Sequence, residues 1–519
     1  MVDRPRTVRG SGLDRSQSGG QWWNYRRPSV PAKQAAPDPS VSREAISPPP
    51  DSGSSADRSP PGHSAPPSSS AGGATLIAGT LLVVVLAAAH FAQAPILARV
   101  LVPAVGLFGT IAFAQRLAPR HPDEPWLARF LVLGMVVKLV ASVLRYRTLV
   151  NSFGSVGDAT VFDTFARRYS AVWLGHGGVL PHLDNLRKSN FLRWFTGVVY
   201  YLFGTDMITG FFVFGLLAFL GSYLWYRATV EAVPFLDRRL FLLVVMFVPS
   251  IVFWPSSIGK EALMQFAIGS AALGTAHLLN GRFLRGLLVA IPGAWLLWVV
   301  RPHLLAIVTL GAAAAYILGR APRRAASERG SIFKPIGMIL VVFLAVFAVN
   351  QGAKGLGIQS LSLGSVQAEL DKTSASTGQG GSAFSNGGNS LSPLHLPQDF
   401  VTVLLRPFPW EVQSALQILA SLEGMALAVF IVVRRSSVAL SLRRLRSSPF
   451  LAYCWTLTFL YALTFQSFSN FGLLVRERSL VLPAMYLLLC LDPARADAGR
   501  EPDPRPMATA VGPTRDRVG

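Results

Sequence analysis

Residues 283–319 read FLRGLLVAIPGAWLLWVVRPHLLAIVTLGAAAAYILG. Two apolar runs, 284–300 and 302–319, flank the short polar interruption Arg301-Pro302-His303. Each has about the length that crosses ~30 Å of hydrocarbon at ~1.5 Å per helical residue. The unit recurs. Similar runs at 74–93, 95–114, 129–147, 205–226, 239–256, 259–279, 334–350, 413–433, 449–467 and 476–491 bring the predicted spans to about twelve. The expected fold class is an all-α polytopic membrane protein, with the transmembrane domain over 74–491. The segments around 255–260 and 301–303 read either as hairpins or as breaks within a helix.

Composition points the same way. The 519 residues are 51% hydrophobic and only 14% charged, against about a quarter charged in soluble domains. Lys and Arg number 48 against 27 Asp and Glu, a net charge of +21. These basic residues sit in short clusters between apolar runs, so the excess reads as membrane topology and not as a nucleic-acid interface. With a cytoplasmic N-terminus, alternate loops carry the clusters around Arg116, Arg238, Arg282, Arg323 and Arg443, and both termini are cytoplasmic. The Ser-, Pro- and Gly-rich segment 1–73 and the polar segment 492–519 read as disordered tails. Cys454 and Cys490 lie inside apolar runs, which excludes a disulfide framework and a Cys-rich metal site.

Two predicted outer segments, 148–204 and 351–411, are too long to be simple connectors, and long loops on a rigid bundle are a common seat of chemistry. The first holds Gly157-Asp158-Ala159-Thr160-Val161-Phe162-Asp163 and ends in the aromatic, amphipathic NFLRWFTGVVYYLFG, suited to lying in the interface. Asp158 and Asp163 are the candidate catalytic carboxylates. On a helix beginning after Gly157 their spacing of five turns them about 140° apart, so Asp158, at the helix start, is the better candidate base. The bland alternative is that it caps the helix.

Candidate binding residues fall at four junctions on the same predicted side of the bilayer: Lys260 with Glu261, Arg301 with His303, Arg406 with Glu411, and Arg476 with Arg478, which flank Glu477. Charges at membrane depth are costly and face a partner or a wet cavity. Converging guanidinium and ammonium groups suit a phosphate. The competing reading is that they snorkel to headgroups or pair with Glu261, Glu411 and Glu477. Lys260 and Glu261, adjacent in sequence, cannot face each other on one helix. His303 reads as a local hydrogen-bonding residue or a proton shuttle, Lys138 as facing the bundle interior, and Trp254 and Trp410 as interfacial residues or sugar-stacking platforms. His176 and His182 match no standard metal-ligand spacing. Neither a metal nor a cofactor is expected.

An acidic residue in the first large outer loop, followed four positions later by an aromatic (Asp158 and Phe162), then an amphipathic stretch (Trp194 to Gly204), LLVVMFVPSIVFWPSSIGKEALM and an Arg-Pro between apolar runs, resembles the GT-C membrane glycosyltransferases over roughly residues 129–320. Ala159 stands where many members have a second acid, and Phe162 where Tyr is usual. The resemblance implies a GT-C-like core, a polyprenyl-phosphate-linked sugar as donor outside the cytoplasmic membrane, and Asp158 as catalytic base. The stretches SIGKEAL, VVRPH, LLRPFPWE and NFGLLVRERSLVLPAMYLLL resemble bacterial surface-polysaccharide assembly proteins, and Arg476 and Arg478 before a final span resemble the outer arginines of Wzy-type polymerases and O-antigen ligases. The reading is therefore a membrane glycosyltransferase of cell-surface glycan assembly in the bacterial cytoplasmic membrane. Its alternatives are a Wzy-like polymerase or glycan ligase and, in another class, a lipid or polysaccharide transporter. Expected partners are the lipid-linked sugar, membrane lipids and other polysaccharide-assembly proteins, with no nucleic acid.

Overall fold

The computed structural model describes residues 95–182, 185–319, 328–358, 362–378, 382–384 and 395–498. The expected span at 74–93, the tail 1–73 and most of the tail 492–519 lie outside them. Among the described residues the chain is all-helical, with two isolated β-bridges, Leu236 to Leu491 and Ala383 to Asn470, and no strand.

In chain order, α1 is Pro95–Leu117, α2 Pro125–Arg147, α3 Asp158–Trp173, α4 Ser189–Phe203 and α5 Met207–Ala232. The long predicted span at 239–256 is two short helices, α6 Arg238–Phe247 and α7 Pro249–Phe253, followed by α8 Lys260–Leu279, α9 Phe283–Val300 and α10 Pro302–Leu318. Then come α11 Glu328–Leu356, α12 Leu363–Thr377, α13 Leu396–Leu405, α14 Ala415–Val433, α15 Arg435–Arg443 and α16 Pro449–Phe465. The predicted last span is also divided, into α17 Phe471–Arg478 and α18 Leu482–Leu489, and α19 Pro493–Ala498 adds a turn of helix where a disordered tail was expected.

Among the described residues, six helical segments are long and apolar enough to cross a membrane: Leu97–Arg120, Pro125–Ser152, Met207–Ala232, Lys260–Leu279, Phe283–Val300 and Ala415–Val433. Pro302–Leu318, Val342–Leu356 and Pro449–Phe465 are apolar but shorter. Of the twelve expected spans, 74–93 lies outside the described residues, three are these shorter helices, and two are divided for a local reason. Proline lacks an N–H and suits the first turn of a helix but not its interior. It opens α2, α7, α10 and α16. Pro249 and Pro483 therefore divide runs that hydropathy alone reads as continuous. Around Arg301, two separate helices are present and not one broken span.

The break at Val248 is held by charge. Glu423 on α14 accepts the Ser250 N–H at 2.8 Å, at the start of α7. Lys138 on α2, buried as expected, donates to the carbonyls of Ile251 (3.2 Å) and Val252 (2.9 Å) at its other end. A carboxylate at the N-terminal end and an ammonium at the C-terminal end match the helix dipole.

Small residues set the centre of the bundle. On α5 and α8, Gly221 lies against the Gln265 backbone and Gly269 against the Gly221 carbonyl. Further along the same pair, Glu231 meets His277, so the two helices run parallel, with α6 and α7 as the return. On α8 and α9, Gly274 meets Ala290, Gly286 meets Leu278 and Gly293 meets the Ala267 carbonyl, the pattern of an antiparallel hairpin. Close backbone approach through small residues is how membrane helices gain packing where lipid supplies no hydrophobic drive.

Helices α3 and α4 form the predicted first loop. Gly197 of α4 sits against Tyr169 of α3, and the buried face of α4 comprises Phe191, Leu192, Thr196, Val199 and Tyr200. This is the amphipathic element read from NFLRWFTGVVYYLFG. The second loop, expected to be more than a connector, contains α12, tied to the bundle by the Ser374 and Ser469 hydroxyls at 2.7 Å.

Candidate functional site

At one end of the bundle a cavity of about 410 Å³ is bordered by Arg145, Asp158, Trp254, Ser257, Asn470 and Arg476 among others. Each side chain is delivered by a helix end. Arg145 closes α2, Asp158 opens α3 after the extended Gly157, and Arg476 sits in the last turn of α17, which Asn470 starts by accepting the Gly472 and Leu473 N–H groups at 3.0 and 3.2 Å. Asp158 is thus the first residue of its helix and not its cap, and its carboxylate is largely exposed to the cavity.

Beneath the cavity lies a buried ion cluster. Arg476 Nη2 contacts Asp158 Oδ2 at 3.1 Å, and its Nε contacts Glu261 Oε1 at 2.8 Å. Glu261 also receives Arg301 Nη2 at 2.8 Å, and Arg301 Nη1 reaches Glu477 Oε2. Tyr461 Oη donates to the Glu477 carbonyl at 2.8 Å. Residues more than 300 positions apart along the chain are joined in this way, Asp158 to Arg476 directly. Arg301 and Glu261 are enclosed, while Arg476 borders the open space.

Two cations beside the cluster lack an acidic partner among the described residues. Lys260, half-buried, lies within the field of Asp158, Glu261, Arg301 and Arg476 but forms no ion pair. Arg145 lays its guanidinium 4.9 Å from the Trp254 ring and 5.4 Å from Phe253, and its buried Nε and Nη1 have no hydrogen-bond partner. A stacked guanidinium keeps its in-plane donors available, and buried donors left unmet are costly. Both border or adjoin space that an anion would fit.

No protein-family model, curated protein or solved structure matches this chain. The reading of the site therefore rests on its own geometry.

The structure sorts the sequence candidates into two groups. Asp158 and Arg476 border the cavity, joined to Glu261 and Arg301 in the buried cluster, with Lys260 nearby. The others are engaged elsewhere. Asp163 is buried, accepting hydrogen bonds from the Tyr200 hydroxyl and from Arg167 Nε at 2.8 Å. Burial, with the Asp163 carboxylate beside it, pushes the Tyr200 hydroxyl far above its ordinary pKa, so it remains a donor. The expected angular separation of the two aspartates is realised: one faces the cavity, the other locks α3 to α4. Arg478, fully buried, turns its two terminal nitrogens to the carbonyls of Leu404 (3.0 Å), Arg406 (2.8 Å) and Ala420 (3.1 Å), while its buried Nε has no hydrogen-bond partner. Three backbone acceptors make it a fastener between α13, α14 and α17, away from the cavity lining. Arg406 pairs with Glu411 and lies over the rings of Phe384 (4.2 Å) and Phe471 (5.5 Å). His303 packs its ring against Phe465. Trp410 is exposed and stacked on Phe408 at 4.9 Å, away from the cavity, whereas Trp254 borders it.

Arg145 is the residue that sequence reasoning undervalued. Its signal was present: Arg145 and Arg147 end an apolar run on the side that should be poor in Lys and Arg, against the charge rule. Ser257 and Asn470 carry no comparable signal. Among the described residues no group of three or more His, Cys, Asp and Glu side chains is placed to hold a metal.

Proposed function

We propose that this protein is a membrane glycosyltransferase that takes a sugar from a polyprenyl-phosphate-linked donor at the outer face of the bacterial cytoplasmic membrane, for cell-surface glycan assembly. One observation carries the reading. An exposed carboxylate, Asp158, and two guanidiniums, Arg145 and Arg476, border one cavity at the end of an apolar helical bundle. That is the charge distribution a sugar transfer from a phosphate leaving group requires. Asp158 takes the proton of an acceptor hydroxyl, whose oxygen attacks the anomeric carbon. The bond from that carbon to the phosphate oxygen breaks, and the phosphate departs with the electron pair, its charge met by Arg145 and Arg476. Glu261 and Arg301 act as positioning residues, because Glu261 fixes Arg476 and Arg301 fixes Glu261.

A Wzy-like polymerase or glycan ligase is the second reading, favoured by the central place of Arg476 in the cluster. It rests on Arg476 and Arg145, since Arg478 is committed to backbone. In a host lacking the protein, Asp158→Asn is expected to cut surface glycan by about 100-fold or more at normal protein level, the usual scale of a general base. Full glycan with Asp158→Asn and loss with Arg145→Gln transfers the assignment to the polymerase or ligase. Full glycan in both variants overturns the two together.

A further inference from the structure

A second cavity, of about 310 Å³, shares no lining residue with the first. It is bordered by Asn185, Arg187 and Lys188 from the segment before α4, by Trp298 near the end of α9, and by Gln351 and Lys354 in the last turns of α11. Its described lining holds three cations and two side-chain amides and no carboxylate. We infer that this cavity binds the phosphate headgroup of an anionic lipid, separately from the site at Asp158.

The cavity is built around those cations. The Arg187 guanidinium lies 4.2 Å from the Trp298 ring, so its face is covered and its in-plane N–H groups are left for an anion. Neither Arg187 nor Lys354 has an ion-pair partner among the described residues. Lys188 is held with φ at 55°, in the left-handed region that a side chain rarely enters. Its N–H donates to the Val299 carbonyl at 2.8 Å and its Nζ to the Gly355 carbonyl at 3.3 Å. Those two bonds clamp the segment across the ends of α9 and α11 and keep the cavity's roof in place. Arg301, next in sequence to the lining residue Pro302, turns its guanidinium to Glu261 and Glu477 and so contributes nothing here.

The surroundings select an amphiphile over a soluble anion. Leu284, Leu288, Ile291 and Trp295 of α9 are exposed and spaced on one helical face that leads to Trp298. Phe343 and Phe347 of α11 are exposed and lie on the face that leads to Gln351 and Lys354. Two apolar stripes therefore run up to a cationic, amide-lined mouth, which fits an acyl or prenyl chain with a phosphate at its end. The inference does not depend on the sugar-transfer reading, because its readout is binding and not glycan.

The test uses the full chain, purified with phosphatidylglycerol and examined by native mass spectrometry. Arg187→Gln combined with Lys354→Gln is expected to retain one fewer phosphatidylglycerol than the parent. Both side chains are exposed, and an unchanged melting temperature shows that the fold is intact. Gln351→Glu, which places a carboxylate in the lining, is expected to give the same loss independently. Millimolar inorganic phosphate should leave the bound lipid in place. Equal lipid retention by the parent, the double variant and Gln351→Glu overturns the inference, and so does displacement of the lipid by inorganic phosphate.

Discussion

Arg301 holds two carboxylates that are otherwise cut off from water, and the cost of removing it is set by what it leaves behind. Glu261 and Glu477 are both buried, and Arg301 bonds to each. Breaking a buried pair by deleting one partner costs about 3–5 kcal/mol, because the other charge stays buried. Arg301→Ala is therefore expected to lower the melting temperature in detergent sharply, and Arg301→Lys to recover little, since one ammonium cannot reach both acids as the fork does. Asp158→Asn should leave the melt unchanged, because that carboxylate is largely exposed. The contrast separates support from chemistry within one cluster. Glu411 gives a pH-dependent case away from the spans. Burial would raise its carboxyl, but hydrogen bonds from Arg406 and from Phe408 N–H outweigh this and hold it below its ordinary value. A lowered folded-state pKa contributes stability in full above the ordinary carboxylate range, near ~4.3, and loses it as pH falls through the folded value. Thermal stability between neutral and acid pH should fall less steeply in Glu411→Gln than in the parent. An identical slope in both would remove Glu411 from the acid response.

At the scale of elements, close backbone contact predicts where the bundle tolerates no added carbon. A Cβ at Gly221 would lie 2.4 Å from the Gln265 carbonyl oxygen, and one at Gly269 would lie 2.3 Å from that of Gly221. Backbone cannot swing aside as a side chain does, so Gly221→Ala is expected to destabilise by about 1–3 kcal/mol. Gly109, with nothing near its Cβ direction, should accept alanine without loss, and melting of the two variants in the same detergent checks the difference. Helix positions were largely legible from the sequence: the runs at 259–279, 284–300, 302–319, 413–433 and 449–467 correspond to α8, α9, α10, α14 and α16 within a few residues. Hydropathy averages over a window, so it carried the reading across Pro249 and Pro483, where the missing N–H divides the helix. The site was half legible for a related reason. Charges placed at helix ends showed which residues gather at one end, but not how donors are shared among them. Arg476 and Arg478 are two residues apart on α17 and so point to different sides. One faces the cavity, and the other serves three carbonyls.

For the whole molecule, the basic loops gather at the end of the bundle opposite the cavity, and that arrangement predicts an orientation. The cavity end carries Arg145 and Lys260 without acidic partners among the described residues. At the opposite end, some arginines of the basic loops are tied into the fold, Arg238 by Glu124 at 2.8 Å, Arg282 by Glu231 at 2.7 Å, and Arg434 by the carbonyls of Leu489 and Leu491 at 2.9 and 2.6 Å, while Arg116, Arg285 and Arg446 are exposed and have no ion pair among the described residues. Those loops are the ones that the positive-inside rule assigns to the cytoplasm, so the cavity is expected on the outer side. The native thiols permit a direct test, since Cys454 and Cys490 are fully buried and should not react with a bulky maleimide in the folded protein. Single cysteines can then report each end without background. Ser376→Cys lies exposed on α12, which the Ser374–Ser469 contact ties to the cavity end, and Ser447→Cys is exposed in the turn before α16. In intact cells a membrane-impermeant maleimide is expected to label Ser376→Cys, and to label Ser447→Cys only after the membrane is opened. The reverse pattern would put the cavity on the cytoplasmic face, where a donor carried outside on a polyprenyl phosphate never reaches it, and the proposed reaction would fall with the orientation.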